Sequence, residues 1–401
     1  MRLLLVNALY PPHQVGGAER SVALLARALA RDGVEVHVAT LDRRPGEANA
    51  VEDGVTVHRL PIDQHYWPWG GETHCVLDRA RWHWREPRNA RAAQRFGRLL
   101  DEVRPDLVHG HVLTGFGAAI WPEVKRRGLP LAHTLRDYAL ICARAALFRR
   151  GTPCARRCLD CRLLTAPTRV ASRLVDAVAG NSEFTLAAHR AAGRFDGVGG
   201  RRLFNIVPGP SADGAREART GPLIFGFLGR IEPEKGVGIL FDAAARIGRD
   251  DWRLRIGGTG RAELLAGYRA RCRDERVEWL GQVEAGDFYR SIDVLIVPSL
   301  WPEPLPRTLV EGAAHGCSVI AAASGGIPEL GGVARRSLLY RADDPDALAA
   351  AMRAAIDEPA EWRASSADPA SLAPFGEAAV VAAHHDFYEE ARRAARRREA
   401  P

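Results

Sequence analysis

The sequence has no long apolar run, and no stretch approaches the roughly 18 consecutive apolar residues of a membrane-spanning helix. Its apolar start, Leu3 to Val6, lacks the pattern of a signal peptide and is typical of a short strand. Cysteine is scarce too: seven residues, an odd number in 401, argue against a disulfide scaffold. We therefore expect a cytoplasmic protein.

Length and composition indicate an ordinary globular protein. A chain of 401 residues is too long for one core and suggests about two domains. The net charge of +7, carried mostly by arginine, favours an anionic ligand or surface. Nucleotide sugars, acidic lipids and nucleic acid all fit that charge, which does not choose among them.

The first half begins with the pattern of a doubly wound α/β domain. A strand from Arg2 to Asn7 leads to the pair Gly16-Gly17, and a helix from Ala18 to about Arg31 precedes the next strand, from Val34 to Leu41. Gly16 and Gly17 would let the backbone approach a ligand at the helix N-terminus, although Gly-Gly is also an ordinary turn.

Further along, residues 62–90 interrupt the α/β rhythm with several tryptophans and histidines. This stretch is either a self-packed excursion or a wall that binds an acceptor, since Trp faces stack well on sugar rings. His111 follows the predicted strand 106–109, and Arg136 follows the predicted strand 129–135. Ligands of open α/β sheets bind at such strand ends, so both side chains are candidates for the site.

Four of the cysteines lie within twenty residues of one another: Cys142, Cys154, Cys158 and Cys161. Four thiolates can close a tetrahedral structural zinc site. The spacing of the last three also matches the cluster ligands of radical-SAM enzymes, but the surrounding sequence lacks the strand and the aromatic residue typical of those enzymes. The alternative is a set of reduced, unconnected cysteines in a loop.

The second half restarts the α/β pattern after a linker-like stretch at 205–214. Arg230 and Lys235 lie on a turn between a strand and a helix, where a bidentate fork and a mobile point charge suit a diphosphate. A later strand, loop and helix start carry two carboxylates eight residues apart, Glu303 and Glu311. This stretch predicts a phosphate site flanked by carboxylates that hold hydroxyl groups.

The chain ends in a predicted long helix, Phe375 to Arg398, with a strongly basic end. Such an end is most often a solvated face. The alternative is a peripheral contact with anionic lipid.

Several motifs, in the right order over nearly the whole chain, resemble family 4 of the GT-B glycosyltransferases, the retaining and metal-independent class. They are Pro11-Pro12…Gly16-Gly17, Gly229-Arg230…Lys235-Gly236, Glu303-Pro-Leu-Pro-Arg-Thr-Leu-Val-Glu311 and Gly325-Gly326-Ile-Pro-Glu329.

The resemblance implies two Rossmann-like domains that face a central cleft. Residues 1–207 would form the acceptor-side domain, with 376–401 packing back on it, and residues 208–375 the nucleotide-sugar domain. The implied reaction is front-face transfer of a sugar with retention, in which fixed cations replace a catalytic metal.

The resemblance also implies roles for single residues. Glu311 would hold the ribose and Glu303 the donor sugar, while Arg230 and Lys235 would neutralise the leaving diphosphate. The remaining implied donor-binding residues are Gly16, Gly17, Leu305, Arg307, Thr308, Gly325 and Gly326.

Two positions depart from the family pattern. Arg136 stands where the family usually has a histidine that contacts the donor sugar, unless the register shifts to His133. Pro306 replaces a frequent glycine and has no N–H, so the amides of Leu305, Arg307 and Thr308 would have to suffice.

We expect a UDP- or GDP-linked sugar donor, an acceptor that is a glycan, a lipid-linked molecule or a natural product, and no nucleic-acid partner. Two alternatives remain open. One keeps the fold but makes the chain a nucleotide-sugar epimerase or phosphorylase, and the other is a non-catalytic scaffold that binds nucleotide sugars.

Overall fold

The computed structural model describes residues 1–13, 16–43, 50–209, 219–363 and 368–399. The strands in this part of the chain are β1 Arg2–Val6, β2 Glu35–Asp42, β3 Ala50–Glu52, β4 Val55–Pro61, β5 Leu107–Gly110, β6 Leu131–Leu135, β7 Phe148–Arg149, β8 Thr152–Pro153, β9 Ala177–Gly180, β10 Gly199–Arg202, β11 Leu223–Leu228, β12 Trp252–Gly257, β13 Val277–Gly281, β14 Val294–Val297, β15 Ser318–Ala322 and β16 Ser337–Tyr340.

The α-helices are α1 Gly17–Arg31, α2 Val76–Arg85, α3 Ala90–Val103, α4 Ile120–Lys125, α5 Leu159–Leu164, α6 Ala166–Ala171, α7 Glu183–Ala191, α8 Val237–Ala244, α9 Ala262–Arg271, α10 Ala285–Ser291, α11 Arg307–Ala314, α12 Pro345–Asp357, α13 Pro359–Arg363, α14 Pro369–Leu372 and α15 Glu377–Glu399. Short 3-10 helices are Glu86–Arg88, Ser172–Leu174, Pro233–Lys235, Ile327–Leu330 and Ala373–Phe375. Among the described helices, none is both long and apolar enough to cross a membrane.

The chain divides into two compact units. Unit 1 comprises Met1–Leu147, Ala155–Ile206 and Glu377–Pro401, and unit 2 comprises Phe148–Cys154 and Val207–Gly376. Each unit has one large sheet of predominantly parallel strands with helices between successive strands. The prediction of two Rossmann-like α/β units is confirmed.

Unit 1 is built on a sheet with the strand order β10-β9-β6-β5-β1-β2-β4-β3, in which only β3 pairs antiparallel with its neighbour. Residues Leu3 to Val6 of the central β1 are fully buried, as a parallel strand covered on both faces requires. Helix α1 packs on one face through a stripe of Val22, Ala26 and Leu29. Helix α15 contributes to the same core, with Phe387 fully buried.

Unit 2 is built on a fully parallel sheet with the order β13-β12-β11-β14-β15-β16. Helices α8 and α12 pack together over one face of this sheet and bury Leu240, Leu348 and Met352 completely. The strand order brings β11, β14 and β15 side by side, so the loops that follow them leave the same edge of the sheet.

Two elements differ from the sequence expectation for local reasons. The sequence from Thr165 to Val175 predicts a single helix, but the segment divides into α6 and the 3-10 turn Ser172–Leu174. Strand β10 was not predicted: its sequence, GGRR, has no apolar residue, and the strand lies largely exposed beside β9 at the sheet edge. A strand of this kind leaves no hydrophobic periodicity to detect.

Candidate functional site

In unit 2 the predicted site residues lie on two loops whose backbones are in contact. The loop after β11 contains Gly236, which has φ +76° and on which a Cβ atom would lie 1.8 Å from the carbonyl oxygen of Pro298, in the loop after β14. Only glycine fits there without displacing the backbone. The amides of Leu300 and Trp301 donate to the carbonyl oxygen of Glu234, at 2.9 and 3.2 Å. These contacts fix the cationic turn against the loop that carries Glu303.

The loop after β15 closes on the same stretch. Gly325 has φ +61°, and a Cβ atom there would lie 2.3 Å from the carbonyl oxygen of Glu303. The amide of Gly326 donates to that oxygen at 2.7 Å. Both glycines, which the sequence predicted as donor-binding, therefore hold the backbone of Glu303 in place.

Lys235 and Glu303 form an ion pair across the two loops. The Lys235 ammonium lies 2.6 Å from Oε1 of Glu303, and the hydroxyl of Ser299 donates to the same oxygen at 2.7 Å. The Glu303 side chain is only 6% exposed, and that of Lys235 is 20% exposed. The Lys235 ammonium also lies 4.9 Å from the ring centroid of Trp301, a cation–π distance. The pair links a residue expected to bind the diphosphate to one expected to bind the sugar.

Glu311 is held within unit 2 by two other side chains. Arg307, one turn earlier on α11, lies 2.9 Å from Oε1, and the hydroxyl of Tyr289 on α10 donates to Oε2 at 3.0 Å. Burial, followed by the neighbouring Glu311 charge, raises the pKa of Tyr289 well above its ordinary value, so this hydroxyl stays protonated and remains a donor. The carboxylate is thus oriented before any ligand binds.

The other predicted residues of unit 2 flank this arrangement. Arg230 is about half exposed, with its guanidinium 3.9 Å from the carboxylate of Glu234. Helix α11 begins at Arg307, directly after the extended Pro306, so the amides of Arg307 and Thr308 lie in its first turn. Leu305 is buried just before it. First-turn amides have no partner within the helix and suit an anionic ligand.

In unit 1, Gly16 and Gly17 form the start of α1. The backbone of Gly16 is extended, and its amide donates to Oε2 of Glu19 at 2.9 Å, so that the Glu19 carboxylate caps the first turn. Both glycines are exposed. The preceding residues 14–15 lie outside the described part of the chain.

His111 and Arg136 meet at the carboxyl ends of the neighbouring strands β5 and β6. The Nε of Arg136 donates to Nδ1 of His111 at 3.1 Å, and its Nη1 donates to Oδ1 of Asn205. Because an arginine can only donate, Nδ1 of His111 carries no proton and the neutral ring must carry it on Nε2. Burial, then the nearby His109 and Arg136, hold the pKa of His111 well below its ordinary value.

The Nε2 atom of His111 is buried and has no hydrogen-bond partner among the described residues. A neutral imidazole with its N–H unpaired is an oriented donor for a ligand oxygen. The other two histidines of these strands have packing roles. His109 lies between Tyr388 and Thr134, at 3.1 and 2.8 Å, and His133 lies inside β6 against Trp121. Arg136, and not His133, therefore occupies the strand end.

Two carboxyl groups near these strand ends were not predicted as site residues. The Oε1 atom of Glu86 accepts from the amide of Gly115 at 2.9 Å, and burial raises the pKa of Glu86 to about 8. Burial likewise raises the pKa of Asp137 to about 6. Sequence reasoning also missed Ser299, Tyr289 and Asn205. The partners of Tyr289 and Asn205 are 22 and 69 positions away, whereas Ser299 lies four residues before Glu303 in the same loop. For Glu86, the available signal was its position at the end of the tryptophan-rich stretch.

The cysteines are brought together only in part. The sulfur atoms of Cys142 and Cys161 lie 3.9 Å apart. The potential ligand atoms of Cys158, Asp160 and Cys161 all lie within 4.8 Å of one another. Cys154 is half-buried and groups with unit 2. The four-cysteine set stays a prediction.

The chain matches two family models and resembles several known proteins. Residues 16–198 match the "Glycosyl transferase 4-like domain" and residues 222–358 match "Glycosyl transferases group 1". A D-inositol 3-phosphate glycosyltransferase of Streptomyces coelicolor is 30% identical over 331 residues, which cover 73% of this chain and 70% of that protein. A protein of Klebsiella pneumoniae described as an uncharacterized 42.6 kDa protein in cps region is 29% identical over 82% of this chain and 87% of its own length.

Solved structures show the same fold. Sucrose-phosphate synthase of Thermosynechococcus elongatus superposes with a TM-score of 0.75 at 20% identity and covers 97% of this chain and 98% of its own. HepE of Anabaena, solved in complex with UDP and glucose, superposes with a TM-score of 0.65 at 18% identity, over 96% of this chain and 98% of its own.

Proposed function

Since the chain belongs to the group 1 glycosyltransferases, GT-B enzymes that transfer a sugar from a nucleotide sugar, we propose that its transfer retains the anomeric configuration and needs no catalytic metal. Arg230 and Lys235 would stabilise the leaving diphosphate in place of a metal ion. The acceptor group would be a hydroxyl.

The observation that carries this proposal is the contact between Lys235 and Glu303. It places an ammonium group within 2.6 Å of the carboxylate expected to hold the donor sugar, on loops fixed to each other through their backbones. A ligand with a diphosphate joined to a sugar presents anionic oxygens to an ammonium group and hydroxyl groups to a carboxylate, which this pair offers side by side. On binding, Lys235 would turn toward the diphosphate, while Oε1 of Glu303 keeps its bond from Ser299.

Arg230 complements Lys235 at the same turn. Its guanidinium is half exposed and makes only a long contact of 3.9 Å with Glu234, so little has to be broken for it to contact a phosphate. Two cations on this turn would act on the charge that develops on the leaving oxygen, where a single lost donor typically costs a factor of about 10²–10³ in rate.

Glu311 would hold the ribose hydroxyls. Arg307 and Tyr289 orient both of its oxygens. The first-turn amides of Arg307 and Thr308 would bind phosphate oxygens beside it. In unit 1, the amide of the exposed Gly17 at the start of α1 would do the same, and the amide of Gly16 would exchange its bond to Glu19 for one to the phosphate.

His111 is the candidate donor in unit 1. Its Nε2–H would bind a substrate oxygen at the strand ends, and Arg136 would act through it as a positioning residue, by fixing which ring nitrogen is protonated. Arg136 would then not replace the family histidine directly.

The donor would be UDP- or GDP-linked, and the acceptor a glycan, a lipid-linked molecule or a natural product. The relative named D-inositol 3-phosphate glycosyltransferase supports a hydroxyl acceptor, and HepE, solved in complex with UDP and glucose, supports a UDP-linked donor. A peripheral contact with anionic lipid would use Arg393, Arg396 and Arg397, which are exposed on α15. Arg398, in contrast, donates to the backbone of unit 1.

The test is a transfer assay with a panel of UDP-, GDP-, ADP- and dTDP-sugars, run with and without EDTA, with the product anomer assigned by NMR. We expect retention, activity in EDTA, and nucleotide release that requires an acceptor. Nucleotide release without acceptor, or interconversion of the donor sugar, would instead indicate a phosphorylase or an epimerase. Tight UDP or GDP binding with no turnover of any donor would indicate a binding scaffold.

A further inference from the structure

The segment between β6 and α6 buries two thiols although it has little regular structure. In it lie the two-residue strands β7 and β8 and the six-residue helix α5. Cys142 and Cys161 are nevertheless only 3% and 2% exposed. The side chains of Thr168 and Arg194 donate to the carbonyl oxygen of Leu140 and hold part of this segment, and the two buried thiols offer a further source of order.

The distance between the two sulfur atoms suggests what that source is. At 3.9 Å they are too far apart for a disulfide, in which the sulfur atoms are about 2.05 Å apart. Two thiolates that bind one tetrahedral zinc ion at about 2.3 Å each lie about 3.8 Å from each other. The two thiols are thus already separated by the edge of a zinc tetrahedron.

A second group of potential ligands shares Cys161 with this pair. The sulfur of Cys158, a carboxylate oxygen of Asp160 and the sulfur of Cys161 all lie within 4.8 Å of one another. A cation bound at Cys161 therefore has two further sulfur ligands and one oxygen ligand nearby, all within unit 1. Zinc accepts both thiolate sulfur and carboxylate oxygen as ligands, so the chemistry of this set of three thiolates and one carboxylate is compatible with zinc.

The surroundings suit thiolates. Backbone amides of Arg144, Ala146 and Leu147 lie near the sulfur of Cys142 and favour its thiolate form. The guanidinium of Arg157 lies within electrostatic reach of Cys142 and Cys161 and is held by the carbonyl oxygen of Ile141 and the hydroxyl of Thr165, both at 2.8 Å. These donors would offset the negative charge that three thiolates and a carboxylate leave around a divalent cation.

We propose that Cys142, Cys158, Asp160 and Cys161 bind one Zn²⁺ ion that fastens the segment after Arg136 to α5. The role is structural, because such a site, with four protein ligands, leaves no open position for a substrate. The proposal revises the donor set expected from the sequence, with Asp160 in place of Cys154, and it does not depend on the proposed transferase mechanism.

The experiment is elemental analysis of the full-length protein, purified without chelators under reducing conditions. We expect about one zinc per chain. Cys142→Ser and Cys161→Ser should lose most of this zinc, and Cys158→Ser and Asp160→Asn should release zinc to a chromogenic chelator at least tenfold faster. Cys154→Ser should behave like the wild type, as should Cys272→Ser, a matched control for a half-buried cysteine in unit 2.

Cobalt substitution keeps the proposal testable even if a variant fails to fold. The wild-type protein loaded with Co²⁺ should show the intense absorption of tetrahedral cobalt with thiolate charge-transfer bands. A wild-type protein that holds neither zinc nor cobalt after reconstitution would overturn the proposal, as would a Cys142–Cys161 disulfide in the metal-free protein. Loss of metal from Cys154→Ser, with Asp160→Asn unchanged, would refute the assignment of Asp160.

Discussion

The ion pair between Lys235 and Glu303 allows the stability role and the catalytic role of one lysine to be separated. Lys235→Met keeps an unbranched chain of similar length that can still lie on Trp301, but it removes the charge. The Glu303 carboxylate, only 6% exposed, would then retain Ser299 as its sole partner among the described residues. Glu303→Gln removes the opposite charge and leaves a lysine that is 20% exposed and can reach water.

The magnitudes follow from this asymmetry. At the 2.6 Å separation and an effective dielectric constant of about 20, the gross attraction is about 6 kcal/mol, most of which desolvation cancels. We expect Lys235→Met to lower the unfolding free energy of the ligand-free protein by about 3 kcal/mol and Glu303→Gln by about 1 kcal/mol. The double variant should lose about 2 kcal/mol of unfolding free energy, about 2 kcal/mol less than the two single losses added together. This difference is the coupling energy of the pair.

Activity should not follow the same pattern. Lys235→Met should lower kcat by a factor of about 10²–10³ because the leaving diphosphate loses a cation, and the added Glu303→Gln change should not restore it. Urea unfolding followed by tryptophan fluorescence and steady-state transfer assays measure the two quantities on the same samples. Stability effects that add within about 0.5 kcal/mol would refute the coupling, and a Lys235→Met enzyme with full activity would refute the role in diphosphate departure.

Three further predictions concern other sites. Arg136→Met should remove the donor that keeps the His111 proton on Nε2 and also one of the causes of the low pKa of His111, after burial and His109. The pKa of His111 should rise and kcat should fall about tenfold, with an acidic limb that the wild type lacks in a pH-rate profile from 5 to 8. Burial raises the pKa of Glu86 to about 8, so the folded protein keeps a proton that the unfolded chain releases near pH 4.5, and the stability from this proton is lost as pH rises through 8. In urea unfolding, the free energy of unfolding of Glu86→Gln should therefore decline less between pH 6 and 8 than that of the wild type, by a slope of about one proton. Equal slopes would contradict this. Gly236→Ala should lower the unfolding free energy by about 3 kcal/mol, because the new Cβ would overlap the carbonyl oxygen of Pro298. Gly248→Ala is the matched control: its φ is also positive, +68°, but a Cβ there has no atom within 4 Å, so it should cost only about 1 kcal/mol. Thermal unfolding of the two variants compares them directly.

The sequence predicted the elements that are defined by their own residues. The run Leu3 to Val6 reads as a buried strand because each side chain is apolar, and α1 is recognisable because its apolar residues return every three or four positions. The glycines and carboxylates of unit 2 were found because their spacing along the chain is itself the motif. The GT-B fold follows from the order of such motifs and is confirmed by the family matches and the structural relatives.

What the sequence did not predict depends on side-chain contacts that the motifs do not contain. Ser299 lies only four residues before Glu303, but nothing in the loop sequence shows that its hydroxyl donates to that carboxylate. Tyr289 has the pattern of a core residue on a short helix, and its partner Glu311 is 22 positions later. The bond from Arg136 to His111 joins the ends of two strands, 25 residues apart. Hydrophobic periodicity does not predict such side-chain pairs, because they depend on the register of one strand against the next.

The return of α15 to the first sheet has a consequence for how the protein is made. Unit 1 is interrupted in the sequence by Val207–Gly376, and the fully buried Phe387 and nearly buried Tyr388 come from the last helix. At typical rates of synthesis, the ribosome takes on the order of 10–30 s to produce the intervening unit. During that time one face of the first sheet lacks its cover and exposes apolar surface. Unit 2 can therefore complete its fold before unit 1, although it is translated later. A chain truncated before Glu377 would lack α15, and its unit 1 would depend on chaperones.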